Sequence, residues 1–276
     1  MEIRRQTFRI ILYLIAAFVG LIFVLPLLWM VSTSFKPPQE VMSIPSTFFP
    51  KEPTIGNYVR LFREGGMFLR YMLNSTFVGT VNTGVSLFLS SLAGFVLAKY
   101  SFRGREIAFW LIVSCLMIPF QITFVPLFEL VAKLKWTNSY WGLIIPRIIS
   151  PFGVFMMRQF VRTIPNDLMD SSRLDGAHEI GIFFRIIIPL VKAPLAVLTV
   201  FYFMWDWDSF LWPLIIVQTD NLKTLPLGLA AFGNQYYMQY HYVMAGAVIT
   251  VLPVIVVFFI FQKQIIKGIT LTGLKL

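Results

Sequence analysis

Charge is scarce in this chain. Asp, Glu, Lys and Arg make up 13% of its 276 residues, about half the roughly 25% with which a soluble domain covers itself. The length would allow one or two soluble domains, but a chain this poor in solvated groups and 57% hydrophobic must put most of its surface against lipid or other helices. Cysteine is limited to Cys115, so no intrachain disulfide can form and cysteine usage says nothing of redox compartment. Histidine is limited to His178 and His241, far apart in sequence, which is too little for a metal site or a Ser/His/Asp set. There is no G-x-x-x-x-G-K-[ST] loop to cradle phosphates, and no H-E-x-x-H or C-x-x-C. The chain is therefore not expected to be an enzyme or to hydrolyse ATP itself. No stretch alternates strictly over ten residues, as a membrane barrel strand does. Internal repeats and low-complexity tracts are absent too.

What the chain does have is long apolar runs. A helix needs about 20 apolar residues to cross some 30 Å of hydrocarbon. Six stretches qualify, at about 10–33, 72–98, 108–129, 140–160, 186–216 and 242–262. They predict an all-α membrane protein with about six transmembrane helices. The expected organisation is a cytoplasmic N-terminus (1–9), one transmembrane domain (10–262) and a cytoplasmic C-terminus (263–276). The run after Met1-Glu2-Ile3-Arg4-Arg5 lacks a clear small-residue cleavage site, so it reads as an uncleaved first helix.

The formal net charge of +10 could suggest nucleic acid, but in a membrane chain Lys and Arg gather in cytoplasmic loops. With the N-terminus inside, thirteen basic residues fall on the inner pieces and eight on the outer ones, five of those eight in one long loop where the rule is weak. Both termini are thus expected inside. The proline-rich stretch of about 36–70 is expected as a structured outer cap. Proline recurs within the spans, at Pro26, Pro119, Pro126, Pro146, Pro151, Pro213 and Pro253, where it bends a helix or marks its end. Ser86, Ser90, Gly94 and Ala98, at four-residue spacing, form a small-residue ridge suited to close helix packing. Few ionisable groups lie in the spans away from their ends, chiefly Arg147, Asp206 and Asp208. Such groups usually face a cavity or a partner.

The loop between the fourth and fifth spans is the most telling segment. It runs from Ile164-Pro165-Asn166-Asp167 through Asp170-Ser171-Ser172-Arg173-Leu174-Asp175-Gly176 to His178-Glu179. Pro165 and Asp167 suit a helix start, and Gly176 suits the left-handed residue that ends one. Asn166 to Asp175 thus reads as a short helix outside the lipid, followed by a turn and a second short helix. Small Ser171 and Ser172 would let it sit close to another surface.

This segment, within 164–190, resembles the EAA loop of ABC-importer permease subunits, whose pattern is E-A-A, three residues, G, nine residues, then I-x-L-P. The matches are Asp170-Ser171-Ser172, Gly176, and Ile186, Ile188 and Pro189, with Asp for Glu, Ser for Ala and Ile for Leu. Over nearly its whole length the chain is similar to MalG-like carbohydrate permeases. Ser34-Phe35-Lys36, Asn74-Ser75, Ile118-Pro119, Trp207-Asp208-Ser209-Phe210-Leu211-Trp212-Pro213, Thr224-Leu225-Pro226-Leu227-Gly228 and Lys267-Gly268-Ile269-Thr270 carry that likeness in order. The resemblance implies half of a pathway for a sugar or oligosaccharide in the cell membrane. It also implies the partners: a second related permease, two ATPase subunits that hold ATP and Mg, and an extracellular solute-binding protein. No cofactor is expected in this chain. Asp170, Ser171, Ser172, Asp175, Gly176 and Glu179 are the expected ATPase-coupling residues. Aromatic faces beside an acceptor suit a sugar, so Trp207 and Asp208 are candidates for the solute pathway. Asn234, Gln235, Tyr236 and Tyr237 are candidates for contact with the binding protein. A polytopic enzyme acting on lipid is the alternative, but it would need a polar cluster at one membrane face beyond Asp206 and Asp208.

The charge bias makes a direct prediction. Cysteines introduced at Ser43 and Gln235 should react with an impermeant thiol reagent from outside intact cells or spheroplasts. Labelling only after permeabilisation would reverse the topology.

Overall fold

The computed structural model describes residues 2–63, 66–235 and 239–273, leaving aside the side chains of 2–5, 7, 232–235 and 263–273. Among the described residues all regular structure is helical. The first helices are α1 (Glu2–Ser34), α2 (Pro38–Val41), α3 (Gly56–Arg63), α4 (Phe68–Lys99) and α5 (Arg105–Ser114). Next come α6 (Phe124–Lys133), α7 (Tyr140–Ile144), α8 (Pro151–Arg162), α9 (Asp167–Leu174) and α10 (Glu179–Ile182). The last are α11 (Ile188–Leu190), α12 (Lys192–Trp207), α13 (Leu211–Ile216), α14 (Leu225–Gln235) and α15 (Tyr240–Gly273). The chain divides into two compact units, Met1–Leu69 with Gly228–Pro253, and Arg70–Leu227 with Val254–Leu276.

Among the described residues, three helical segments are long and apolar enough to cross a bilayer unbroken: Phe8–Ser34, Phe68–Lys99 and Tyr240–Gln262. Three bent pairs pass the same test jointly, which brings the crossings to as many as six. They are Arg105–Met117 with Phe120–Lys133, bent by 95°, Tyr140–Arg147 with Pro151–Arg162, by 42°, and Glu179–Leu190 with Lys192–Trp207, by 81°. The apolar stretch 186–216 is therefore not one helix. It is divided among α11, α12 and α13, because hydropathy decides what can enter lipid while local backbone chemistry decides where the helix turns.

Proline accounts for most of these turns. Pro119 lies in extended backbone at the 95° break. Pro151 and Pro213 occupy first turns, where the missing N–H has no intrahelical partner to lose, whereas Pro126 and Pro146 lie at junctions between a 3-10 turn and an α-helix. Pro26 and Pro253 sit inside long helices. Ser150 caps α8 by accepting a bond from the Gly153 amide at 3.2 Å.

In the first unit, the segment after α1 is held by buried polar groups. The Asn57 amide donates to the Ser34 and Lys36 carbonyls at 2.7 and 2.9 Å. The Glu40 carboxylate accepts from the Thr47 hydroxyl at 2.7 Å and from the Lys51 amide at 3.0 Å. The Lys36 ammonium lies 4.7 Å over the Trp29 ring and donates to the Thr47 carbonyl. These bonds give the proline-rich stretch a fixed shape. The α1 window carries no buried residues, as suits a helix apolar all round that faces lipid or a partner helix.

In the second unit, the small-residue ridge of α4 meets α8. A Cβ on Gly94 would lie 2.6 Å from the Met157 Cβ and 2.8 Å from the Arg158 backbone nitrogen, so the two helices touch backbone to backbone. Along the same ridge, Ser86 donates to the Ile148 carbonyl at 2.9 Å and the Ser90 and Tyr202 hydroxyls are 3.0 Å apart. Such contact replaces the hydrophobic driving force that lipid does not supply. Gly94→Val should destabilise the purified protein by about 1–3 kcal/mol through overpacking. Gly84→Val, where a Cβ meets nothing within 4 Å, should not. Thermal unfolding in detergent checks the pair.

Candidate functional site

The loop singled out by sequence folds as a knob in the second unit. α9 spans Asp167–Leu174, with Asn166 and Asp175 as its flanking residues. Asp167 and Asp170 stand in its first turn and Arg173 in its last, complementing the helix dipole. Gly176 has φ of +82°. Its N–H bonds the Arg173 carbonyl at 3.0 Å, and the Ala177 N–H bonds the Ser172 carbonyl at 2.9 Å. These are the paired bonds of a Schellman cap, which satisfy the last carbonyls and turn the chain sharply into α10.

The knob has a buried side and an open one. Met169 and Ile182 join a core with Phe95 of α4 and Met157 and Val161 of α8. Leu168, Leu174 and Ile180 stay exposed, Leu174 by 89%. Ser171 and Ser172 both bond back to the Leu168 carbonyl, at 3.2 and 2.7 Å, so their hydroxyls are turned onto their own helix. Asp170, the acid of the motif, is held by Arg173 Nη1 at 2.7 Å. Arg173 also donates to Glu179, Nε to Oε1 at 2.8 Å and Nη2 to Oε2 at 3.3 Å. Glu179 accepts a further bond from the Tyr100 hydroxyl. The Arg173 guanidinium, and then Tyr100, hold the Glu179 carboxyl below the usual carboxylate range. Burial, and then Glu179, push the Tyr100 phenol up, so it remains a donor at neutral pH. On the other side, Lys99 donates to the Ile164 carbonyl and to Asn166 Oδ1, the latter at 2.9 Å.

Between α10 and α11 the helix widens into a π turn, Phe183–Ile187. Pro189 follows it. Proline lacks an amide hydrogen, and its ring crowds the carbonyl four residues back, here that of Arg185. The Glu179–Leu190 half stands at 81° to Lys192–Trp207, so the chain turns sharply between the knob and α12.

Two of the sparse intramembrane charges, Arg147 and Asp206, pair with each other. Arg147 Nη2 lies 3.1 Å from Asp206 Oδ1, with both side chains less than a tenth exposed. Arg147 Nη1 donates to the Ser209 hydroxyl at 2.6 Å. The pair ties the break after α7 to the end of α12. Trp207 is 1% exposed and stacks on Phe203, centroids 5.6 Å apart. Asp208 is exposed and ends α12, its N–H bonding the Met204 carbonyl at 3.0 Å. The two solute-pathway candidates are therefore unlike, one packed inside and one open. Tyr236 and Tyr237 lie outside the described residues, as do the side chains of Asn234 and Gln235 at the end of α14.

The family model described as "Binding-protein-dependent transport system inner membrane component" matches residues 87–271, which include the ridge from Ser90 onward, the knob and the ion pair. The chain belongs to this family. The permease is 38% identical to the arabinooligosaccharides transport system permease protein AraQ of Halalkalibacterium halodurans, with 99% of each chain covered. It is 30% identical to the lactose transport system permease protein LacG of Rhizobium radiobacter, with 96% of each covered. In fold it matches a chain of a bacterial ABC transporter involved in the import of the acidic polysaccharide alginate, with a TM-score of 0.84 at 21% identity over 94% and 96% of the two chains. A second match, with a TM-score of 0.64 at 15% identity over 93% of each chain, is to the alginate transporter in complex with its pentasaccharide-bound periplasmic protein.

Sequence reasoning about the permease passed over Lys99, Tyr100 and Arg173. Arg173 was within reach, because it lies three residues after Asp170 on one helix. Tyr100 was not, being 79 residues from Glu179. Arg147 and Asp206 were each conspicuous, but nothing in a linear reading pairs them. Leaving one buried charge without its partner costs about 3–5 kcal/mol, whereas replacing both is often neutral. Arg147→Met should thus sharply lower the amount of folded permease in the membrane, and Arg147→Met with Asp206→Leu should restore most of it. Fluorescence size-exclusion of detergent extracts reports both.

Proposed function

We propose that this permease forms one half of the translocation pathway of an ATP-driven importer for a sugar or oligosaccharide. One observation carries the coupling part of this reading. The knob of α9 and α10 is folded to a fixed angle by the Gly176 cap, yet leaves Leu168, Leu174 and Ile180 uncovered on a polar surface outside the span. Exposed apolar side chains rimmed by polar ones suit docking to another protein. The occupant is one of two cytoplasmic ATPase subunits, which bind ATP and Mg. Asp170, Ser171, Ser172, Asp175, Gly176 and Glu179 form or shape the docking face. A second, related permease completes the pathway, and both termini of this chain are cytoplasmic.

The sugar assignment rests on relatives that transport arabinooligosaccharides and lactose. Solute arrives on an extracellular binding protein, in keeping with the family and with the periplasmic protein of the alginate complex. Asp208, open at the end of α12, is the group we assign to solute hydroxyls, and Trp207 supports it from the packed side. Asn234 to Tyr237 are assigned to contact with the binding protein on sequence alone.

The test is at the knob. A β-branched residue at Gly176 must adopt positive φ, at a cost of about 1–2 kcal/mol. A tryptophan at Ser172 would hold the docked surfaces apart. Gly176→Val and Ser172→Trp should abolish oligosaccharide uptake and weaken ATPase pull-down, at unchanged membrane abundance. Normal uptake and association in both would reduce the knob to a connector.

A further inference from the structure

The bottom of α4 grips the knob at two points. Lys99 holds the chain entering α9 through the Ile164 carbonyl and Asn166 Oδ1. Tyr100, the next residue, holds Glu179 at the start of α10. From Glu179 the bonds continue to Arg173 and then to Asp170. An unbroken polar chain thus runs Tyr100–Glu179–Arg173–Asp170, from the residue that follows α4 to α10 and α9, Tyr100 and Glu179 being 79 residues apart in sequence. Beneath it lies an aromatic layer, with the Phe95 ring 5.4 Å from that of Tyr100 and 5.5 Å from that of Phe183.

We propose that Lys99 and Tyr100 are positioning residues that clamp the knob to α4, so that a displacement of the knob is delivered into α4. The proposal rests on the docking reading above and extends it to a helix that does not adjoin the knob in sequence. Two physical points favour it. The apolar layer of Phe95, Met169 and Ile182 is non-directional, so by itself it would let the knob slide over α4. Hydrogen bonds to charged groups are directional and fix register, which a rigid transmission requires. The second point is energetic. Ion pairs as exposed as Arg173–Glu179 contribute little to stability. The two-pronged hold of Arg173 on Glu179 instead fixes the geometry between α9 and α10, which is what a constraint on motion needs.

The experiment uses the whole importer, permease with its partner permease, ATPase subunits and binding protein, reconstituted in lipid vesicles. Solute uptake and ATP hydrolysis are measured together, and ATPase pull-down is measured beside them. Tyr100→Phe and Lys99→Met should assemble with the ATPase as the wild type does. The solute moved per ATP hydrolysed should fall about 3–10-fold in each, comparable to the changes in site-to-site coupling that mutations along such networks produce. Lys99→Arg, which keeps a cation and its donors, should recover most of the ratio. A purely structural role would lower abundance and leave the ratio unchanged. An unchanged ratio in the two loss variants at normal assembly would overturn the clamp and leave the docking reading standing. Loss of ATPase pull-down in Tyr100→Phe would also overturn it, by making Tyr100 a contact residue. A wild-type permease that brings down no ATPase would overturn the proposed function, and the clamp with it.

Discussion

Lipid offers no partner to a backbone N–H or carbonyl, so every peptide group within the bilayer must be satisfied by the chain itself. That constraint makes the described structure helical and decides where it can break. Breaks occur where proline has already removed a donor, as at Pro119, or where a side chain replaces a lost bond, as when Ser150 caps α8. The Trp212 indole likewise donates to the Gly142 carbonyl at 3.0 Å, beside the break after α7. Bent spans do more than cross a membrane. Each bend sets an angle between two rigid pieces, and those angles position the groups that matter.

Polarity follows the same logic. Inside the bilayer a charge needs its opposite, and Arg147 and Asp206 supply each other, with Ser209 completing the guanidinium. Elsewhere in the second unit, Arg158 is buried, lies 3.7 Å from the Phe109 ring and pairs with Glu106 at 2.5 Å. Charge is rare in this chain, and in its spanning part it works as a link between helices. The knob is different. There charges lie at the surface, pair with one another around Arg173, and leave apolar side chains uncovered, an arrangement suited to a partner protein.

The ridge of α4 and the clamp at its end are two parts of one construction. Gly94 lets α4 touch the backbone of α8, and a few residues later Lys99 and Tyr100 hold the knob that follows α8. α4, α8 and the knob thus share one contact system, with Phe95, Met157 and Met169 in its core. A helix packed so closely along its length can transmit a push at its end with little loss to side-chain rearrangement, because close-packed interiors have low compressibility.

Much of this was legible in the chain itself. Apolar run length determines that there are about six crossings, and the order Pro165, Asp167, Gly176 determines a short helix with a sharp end, because each of these residues acts through its own backbone chemistry. The motif around Asp170 to Pro189 marks the family by local pattern in the same way. Tertiary structure alone decided the rest. That Asp170 and Glu179 are both held by Arg173, that Trp207 is packed inside while Asp208 is open, and that Arg147 meets Asp206 all depend on distances between residues far apart in sequence. Hydropathy is a sum over neighbours along the chain, and it carries no information about which polar groups meet across helices. Those meetings are set by the angles at the breaks and by the small residues that let helices approach, and both become visible only when the helices are packed.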